Sequence, residues 1–593
     1  MTRIIRCARP AGFFLAIHLL LPSPANAEFR SFDGTGNNLA NPLWGSAGID
    51  YARMARVDYA DGISTARLIG RPNPRTVGLS LMRETAAIPN NRNLSGYVYS
   101  FGNFIAHDTD RTNSGTTEFV NFTIPSNDDI YAPGKTVQMA RSLFDPATGT
   151  STSNPRQQTN FTTAFIDGSA VYGSDATTAS SLRGGPANPG AKLKTSNDIN
   201  GDAEDLLPRN AFGPSTTAPF VAGDDRVNDN IPLTCIQTLF MREHNRLVDV
   251  YSAKHPDWST DQLYQRARKT VGAEIQAITF NEYLPALLGP FAPSPTGAHY
   301  NPNLNPAVFN EFAAVFERVG HSMIPAAFQR VQNDGTPAPG GPLNLLDGFN
   351  NPAALTSSHN LSLFLKGLSV EVQEETDIKL TDGMRVALLD AIDVQRARDH
   401  GLPDYNTLRQ AYGLPRVTSY AGITSDPTLQ HSLASLYPNI NTIDLIVGAL
   451  AEDHLPGASV GPLVAAGLST QFENLRDGDR FWYEWDPDFS PTEIGAIRNT
   501  RLSDIIRENT DITNLQGNVF FVPEPSTPAI LFGLLTSLAC ARTKRDKRQK
   551  PVRITSEPAT KQRTCGWRRR IWKHAASRSH WKQPADLWGT WRG

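Results

Sequence analysis

The segment FGNFIAHDTDRT, residues 101–112, places polar side chains at the spacing of a helix. Asn103, Ala106 and His107 share one helical face, whereas Asp108 points about a hundred degrees away from His107. Such a helix presents an imidazole to a pocket on one side and a carboxylate to a cation on another. A lone His-Asp pair is more often a packed structural feature than a catalytic one, so its chemistry depends on the rest of the chain.

A second segment, TAFIDGS at residues 163–169, supplies oxygen donors at alternate positions of a short loop. The donors are the hydroxyls of Thr163 and Ser169, the backbone carbonyl of Phe165 and the carboxylate of Asp167. Calcium takes about six to eight oxygen ligands in flexible geometry, and the carboxylate of Asp108 completes such a set. The two segments together favour a calcium site.

Helices are the elements that must position these groups, because helical periodicity is frequent and strand-like alternation is sparse. An apolar stripe marks the helix that carries His107: Leu94, Val98, Phe101 and Ile105. Further helices are predicted over 233–251, 305–324 and 384–400, the last two followed by prolines. No internal repeat is evident over 28–520, so we predict a mainly α fold, one large helical domain with few short strands over residues 28–521.

The composition is that of an ordinary globular protein. The chain has 593 residues, of which 39% are hydrophobic and 19% are charged, and its formal net charge is −2. A chain of this size buries a large core. Residues 542–593 hold sixteen Lys and Arg against three Asp and Glu, so the remainder is net acidic. This asymmetry separates the tail from the body and argues against a body that binds nucleic acid.

The first 27 residues have the pattern of a secretory signal peptide. Basic residues precede an apolar run over 13–21 and a small-residue site that ends at Ala27, where cleavage is expected. A buried N-terminal helix explains neither the basic start nor this site. Of the four cysteines only Cys235 lies in the body, so we expect a packed core thiol and no internal disulfide there. The protein is therefore predicted to be exported, either secreted or at the cell surface.

Residues 522–548 combine a Pro-Glu-Pro triplet at 523–525, an apolar run over 529–541 and a basic cluster. The run is short for a membrane span of about 20 residues. The arrangement resembles the bacterial C-terminal sorting signal named after this triplet, which implies a bacterial envelope location and transient contact with membrane or sorting machinery. A single-pass anchor is the alternative. Residues 549–593, rich in Arg and Trp, are expected to be a disordered or discarded extension, and an interaction segment is the alternative.

Taken together, the motifs resemble those of the animal haem peroxidases, the superfamily of myeloperoxidase, lactoperoxidase, peroxidasin and the cyclooxygenases. The resemblance runs from FDGTGNNLANPLWG (32–45) to DGDRFWYE (477–484), with the motifs in the family's order. It implies a peroxidase that reduces hydrogen peroxide and oxidises a small phenolic or halide donor through a ferryl haem. The implied cofactors are haem b and calcium.

The resemblance also implies the distal residues. His107 matches the distal histidine, and Arg226 in AGDDRVNDN matches the catalytic arginine. A neutral imidazole accepts the peroxide proton and returns it to the departing oxygen, while a permanently charged guanidinium stabilises the charge that develops there. The implied calcium ligands are the set described above: Asp108, Thr163, Phe165, Asp167 and Ser169.

On the proximal side, the resemblance implies that His321 in ERVGHSM binds the haem iron, with Arg318 three residues before it. In AIDVQRARDHG, Asp393 matches the partner of the proximal histidine and Arg396 the residue beside the haem. The family generally has asparagine at the position of Asp393. A carboxylate accepts the proximal N–H more strongly, which predicts an electron-rich histidine and a lower iron potential.

Several distal positions depart from the family pattern. Ala106 replaces an aspartate that forms an ester to haem in covalently linked members, and Asp229 stands where a second ester, usually through glutamate, forms. Asn230 replaces the methionine that makes the sulfonium bond in myeloperoxidase. We therefore expect haem held non-covalently, or by one bond at most through Asp229. Asn103 is one methylene shorter than the glutamine associated with halide binding, which argues against efficient hypohalous acid production.

Two alternative functions fit the same fold. A fatty-acid dioxygenase of the cyclooxygenase branch uses a tyrosine three residues before the proximal histidine, but this chain has Arg318 there. A non-catalytic surface or matrix adhesion protein has no need for His107, Arg226 and His321 together. Both comparisons favour the peroxidase.

Two other histidines lie in motifs that invite a functional interpretation. His244 in REHNR lacks a second histidine at the spacing that zinc helices use, so we expect a structural role. His400 lies at the predicted C-terminus of a helix, where a partial positive charge suits the helix dipole. Neither is expected to be a catalytic residue.

Overall fold

The computed structural model describes residues 28–184, 190–210 and 217–523, and the predicted signal peptide, most of the 522–548 segment and the 549–593 tail lie outside the described residues. Within these ranges the α-helices are α1 (Pro74–Val77), α2 (Gly96–Thr109), α3 (Ser169–Tyr172), α4 (Ala176–Leu182), α5 (Ser196–Ile199), α6 (Ile231–Lys254), α7 (Thr260–Ile278), α8 (Leu284–Leu288), α9 (Ser358–Val370), α10 (Asp382–Val386), α11 (Leu389–Asp399), α12 (Tyr405–Ala411), α13 (Pro427–Leu436), α14 (Leu445–Ala451), α15 (Pro462–Asp477), α16 (Pro491–Asn499) and α17 (Leu502–Asn509).

Strands are few and short, as the sparse alternation predicts. They are β1 (Ile49–Asp50), β2 (Ser114–Phe119), β3 (Phe122–Thr123), β4 (Thr136–Val137), β5 (Ala140–Ser142), β6 (Thr159–Asn160), β7 (Ala327–Phe328) and β8 (Leu343–Asn344). They pair antiparallel in the described ranges as β1–β6, β2–β5, β3–β4 and β7–β8. The predicted mainly α architecture is confirmed.

Helix α2 begins where Ser95 caps it, since the Ser95 hydroxyl accepts the backbone N–H of Tyr97 at 3.2 Å. Of the predicted apolar stripe, Val98, Phe101 and Ile105 lie on α2 and are buried, whereas Leu94 is buried just before the helix begins. Helix α2 packs against α6, α9 and the 3-10 helix Glu317–Met323. These contacts hold the helix of His107 at the centre of the molecule.

Helix α6 contains the whole of the predicted 233–251 helix and is fully packed over most of its length. Asn230 caps its N-terminus, and Pro232 lies in the first turn, where a missing N–H costs nothing. Cys235 is a free, fully buried thiol, which confirms the expected core role. No helix in the described ranges is both long enough and apolar enough to cross a membrane.

Two of the predicted α-helices are wrong in detail. The segment predicted over 305–324 forms a π-helix, Phe312–Phe316, followed by a 3-10 helix, Glu317–Met323. The segment predicted over 384–400 is broken into α10 and α11, because Leu388 adopts a left-handed backbone conformation with φ of 60°. Both departures lie beside the candidate site.

Candidate active site

His107 lies in the last turn of α2 and is only 7% exposed. Burial, together with the positive charge of Arg226, lowers the pKa of His107 to about 3. The imidazole is therefore neutral at physiological pH, which is the form that accepts a proton. Its Nε2 atom lies 3.3 Å from Nδ2 of Asn103, one turn earlier on the same face, as the helical spacing predicts.

Arg226 is held against the same end of α2 by a buried carboxylate that the sequence analysis did not single out. Its Nε and Nη2 donate to the two oxygens of Asp224 at 2.9 and 2.7 Å, and Nη2 also donates to the carbonyl of Asp110 at 2.8 Å. Burial alone would lower the pKa of Arg226, but Asp224 raises it. In the described part of the chain Nη1 has no hydrogen-bond partner, so one donor is left for a ligand.

The proximal candidates meet on one carboxylate. In the 3-10 helix Glu317–Met323, residues three apart are eclipsed, so Arg318 and His321 project to the same side. Nδ1 of His321 lies 2.6 Å from Oδ2 of Asp393, and Nη1 of Arg318 donates to Oδ1 of Asp393 at 3.3 Å. The structure thus brings together three residues predicted to act together.

Asp393 is a strong acceptor in this setting. Burial alone would raise its pKa, but the charges and hydrogen bonds of His321 and Arg318 lower it. The carboxylate is therefore ionised and holds the proton on Nδ1 of His321. The Nε2 atom of His321, across the ring from Nδ1, has no hydrogen-bond partner in the described ranges. A haem iron requires such a nitrogen, so the proximal residues fit the group.

Arg396 and Asp229, two further predicted haem residues, have no hydrogen bond to His107 or His321 among the described residues. Arg396, on α11, donates to the Ala140 carbonyl, the Ser142 hydroxyl and the Asp399 carboxylate at 3.1, 2.8 and 3.0 Å. It is thus tied to β5 rather than to His321. Asp229 ends the 3-10 helix Asp225–Asn228, and burial raises its pKa to about 7. Ala106 is buried and offers no carboxylate, as its sequence dictates.

The predicted calcium residues form a buried cluster at the far side of α2. The Thr163 hydroxyl lies 3.3 Å from Oδ2 of Asp167 and 3.1 Å from the Ser169 hydroxyl. Asp108 accepts the backbone N–H groups of Asp167 and Gly168 at 3.1 Å each. The side chains of Thr163, Asp167 and Ser169 thus lie within hydrogen-bond distance of one another, and Asp108 is bonded to the same loop. Phe165 belongs to this loop in sequence.

The charge of this cluster suits a cation. Burial, followed by the charge of Asp167, raises the pKa of Asp108 to about 8, so the two carboxylates repel each other. A divalent ion removes that repulsion. In the described ranges no three acidic, histidine or cysteine side chains group as a metal site, so this set depends on two carboxylates and neutral oxygens. Arg30 contacts the cluster from outside, with Nε 3.7 Å from Oδ2 of Asp167.

Sequence reasoning missed a second buried carboxyl pair, Asp110 and Glu317, between the end of α2 and the proximal 3-10 helix. Burial raises the pKa of both, and each also feels Arg226 and Arg318. Asp110 stands three residues after His107, and Glu317 stands directly before Arg318. Their closeness in sequence to these site residues could have identified them as candidates.

Two histidines outside the site have structural partners. His244 lies 3.0 Å from both the Tyr172 hydroxyl and the Ala191 carbonyl, which confirms its structural role. His400 does cap a helix, α11, but its expected positive charge is wrong. Burial, together with Arg396, lowers the pKa of His400 well below its usual value, and its ring is bonded as a neutral imidazole to Asn310 and Ser142.

Comparisons with known proteins show which sequences and folds this chain resembles. The mouse peroxidasin homolog (Mus musculus) is 32% identical over 563 residues, an alignment that covers 84% of this chain but 38% of that protein. The chain therefore spans only part of the length of that relative. Peroxidase A from Dictyostelium discoideum superimposes with a TM-score of 0.74 at 29% identity, over 83% of this chain and 99% of that one.

A fatty acid alpha-dioxygenase from Arabidopsis thaliana superimposes with a TM-score of 0.72 at 18% identity, over 84% of each chain. At this identity the likeness shows a shared fold and nothing about chemistry. The profile described as animal haem peroxidase matches residues 29–520, nearly the whole of the described chain. The chain belongs to the animal haem peroxidase family.

Proposed function

We propose that this protein is a haem peroxidase, which reduces hydrogen peroxide and oxidises a small phenolic or halide donor. The observation that carries the proposal is the pairing of His321 with Asp393, because it leaves a lone pair on Nε2 for a haem iron. The helix of His321 packs against the helix of the neutral His107. A haem between these helices has an iron ligand on one side and a base on the other.

His107 is the proton-transfer residue in this proposal. Its neutral ring accepts the first proton of peroxide and returns it to the departing oxygen. Arg226 is held by Asp224 through Nη2, and its Nη1 remains to stabilise the charge that develops on that oxygen. Haem b supplies the redox chemistry when bound, and the protein supplies orientation, proton transfer and exclusion of water.

Several finer features belong to the same proposal. We infer that calcium binds Asp108, Thr163, the carbonyl of Phe165, Asp167 and Ser169. Haem is held without a covalent bond, or by one bond at most through Asp229, because Ala106 removes the other carboxylate. Asn103 and Arg396 complete the haem surroundings. The protein is secreted or on the cell surface of a bacterial envelope, and the 522–548 segment contacts the sorting machinery.

Absorption spectroscopy tests the proposal and the mode of haem linkage together. The purified full chain, expressed with haem supplied, should show a Soret band, and acidic organic extraction should remove most of the haem. The extracted and intact samples are then assayed with peroxide and phenols, iodide, bromide or chloride. A protein that takes up no haem would support an adhesion role instead, and haem that resists extraction would show a covalent bond.

Replacing Asp393 with asparagine should raise the ferric/ferrous potential. The carboxylate makes a charged hydrogen bond to His321, whereas an amide makes a neutral one, and the difference is about 1 kcal/mol. That amounts to roughly 40 mV for a one-electron couple. Spectroelectrochemistry of the two holoproteins measures the change. Equal potentials would mean that Asp393 does not donate electron density through His321.

Calcium should stabilise the protein through Asp108 and Asp167. At a free calcium concentration of about one hundred times Kd, the stabilisation is about 2.7 kcal/mol. Thermal denaturation with calcium and with a chelator measures it, and Asp167→Asn should abolish the difference. Asp444→Asn is the matched control, because Asp444 is a buried carboxylate paired with Arg398 far from the loop. If Asp167→Asn keeps the full calcium effect, the ion binds elsewhere.

A further inference from the structure

The ring of His107 has a single hydrogen-bond partner in the described part of the chain. Nε2 lies 3.3 Å from Nδ2 of Asn103, whereas Nδ1 is buried and has no partner. A neutral imidazole carries its proton on one of these two nitrogens, and the hydrogen bond it makes decides which. The tautomer of His107 therefore depends on which end of the Asn103 amide faces the ring.

The orientation of that amide follows from the start of α6. Asn230 caps this helix, and its Oδ1 accepts the backbone N–H of Leu233 at 2.9 Å. A backbone N–H only donates, so the Asn230 atom that faces Leu233 must be the oxygen. The other end of the Asn230 amide is then the nitrogen, and it lies 3.0 Å from Oδ1 of Asn103.

The same reasoning carries the orientation one step further. Nδ2 of Asn230 only donates, so the Asn103 atom that faces it must be the oxygen. The nitrogen of Asn103 therefore faces His107, and Nε2 of His107 must be the acceptor. The ring proton is left on Nδ1. A helix N-terminus thus sets the direction of each hydrogen bond up to the distal histidine.

We propose that Asn230 is a positioning residue that fixes the tautomer of His107 through Asn103. The inference deepens the proposed function and rests on it, because the lone pair on Nε2 is the one that accepts the peroxide proton. We call the chain of hydrogen bonds from Leu233 through Asn230 and Asn103 to His107 the relay. Its direction cannot reverse without leaving the N–H of Leu233 unsatisfied in the first turn of a 24-residue helix. At 3.3 Å the bond to Nε2 is longer than the usual range of about 2.7–3.2 Å, so peroxide can displace the amide.

Asn230→Asp separates the relay from the helix cap. The new carboxylate still accepts from Leu233, but it has no donor for Asn103. The Asn103 amide then turns to donate to the carboxylate, its oxygen faces His107, and the ring proton moves to Nε2. We expect the rate constant for the reaction with hydrogen peroxide to fall about 100-fold, since Nε2 then carries the ring proton and has no lone pair to accept another.

The tautomer itself is measured on the holoprotein by 15N NMR of labelled histidine in the diamagnetic ferrous carbon monoxide form. The wild type should carry the proton on Nδ1 of His107 and the Asn230→Asp variant on Nε2. Asn103→Asp should produce the same change with the α6 cap intact, because one carboxylate oxygen accepts from Asn230 and the other accepts from the ring. Agreement between these two variants separates the relay from any effect on the helix.

Asn73→Asp is the matched control. Asn73 caps α1 through Oδ1, which accepts from Arg75 and Thr76, and its Nδ2 donates to the Thr123 carbonyl, which is not part of the site. This variant should keep the wild-type rate and tautomer. If Asn230→Asp leaves the proton on Nδ1, the inference is overturned, whether or not the rate falls. If the variants switch the tautomer but the wild type does not react with peroxide, the relay stands and the proposed function fails.

Discussion

The His107→Gln variant should react with hydrogen peroxide about 10²–10⁴-fold more slowly than the wild type, while its haem absorption is retained. The reason is that the neutral imidazole is the proton acceptor in the proposed function, and an amide cannot take its place. Haem should stay bound, because the proposed iron ligand is His321. The fold should also survive, since among the described residues the ring of His107 has one hydrogen-bond partner, Asn103. Stopped-flow absorption at the Soret band measures the rate.

His244→Gln is the matched control for this variant. His244 is buried like His107, and burial likewise lowers its pKa to about 3. Its hydrogen-bond partners are Tyr172 and Ala191, neither of which is a predicted site residue, so we expect the substitution to cost stability and to leave the rate unchanged. A His107→Gln protein that reacts at the wild-type rate would show that another group accepts the proton.

The His321→Ala variant should lose most of its haem. Removing the residue deletes the only proposed bond from protein to iron, and even weakening the partner of a metal-binding histidine lowers affinity by about 10–100-fold. We therefore expect haem affinity to fall by at least about 100-fold, with the Soret band lost on gel filtration. Exogenous imidazole should restore part of the band, because it occupies the vacated space beside Asp393.

His454→Ala serves as the control for loss of a histidine. His454 is half-buried, and its Nε2 lies 2.6 Å from the carbonyl of Thr376, well outside the site. This variant should keep its haem and its peroxidase activity. Retention of the full Soret band by His321→Ala would place the iron ligand elsewhere in the chain.

Local spacing was enough to predict the distal helix and its two faces. The apolar spacing of Val98, Phe101 and Ile105 and the offset between His107 and Asp108 are local features, and these residues lie on α2. The cap at Ser95 was not predicted. The oxygen-rich loop at 163–169 was predictable for the same reason, since its donors are neighbours in sequence. The proximal pairing of His321 with Asp393 came from resemblance to the family, because 72 residues separate them.

The errors have physical causes that local patterns do not express. Apolar residues at spacings of three and four fit a 3-10, an α or a π helix, so the periodicity around Phe312 and His321 could not distinguish them. The break at Leu388 requires a positive φ in a non-glycine residue, which the packing of α10 and α11 imposes and the sequence does not signal. His400 has the position of a helix cap, but its neutrality follows from burial and from Arg396.

The relay from Asn230 to His107 was also beyond reach of the sequence. Asn230 and Asn103 are 127 residues apart, and each has an obvious local explanation, one as a helix cap and the other as a shortened glutamine. Only the juxtaposition of α2 with the start of α6 joins them. Asp224 was missed for a similar reason. It is only two residues from Arg226, but the sequence does not show that this carboxylate is buried and bonded to the guanidinium.

Sequential-mixing stopped-flow spectroscopy of the haem-loaded full chain tests the central claim most directly. One equivalent of hydrogen peroxide is mixed with the protein, the Soret band is followed, and a phenol or iodide is then added. A haem peroxidase with His107 and His321 in their proposed roles should show a rapid change in the Soret band and its return when the donor is added. A Soret band that peroxide leaves unchanged, or a protein that binds no haem, would contradict the claim.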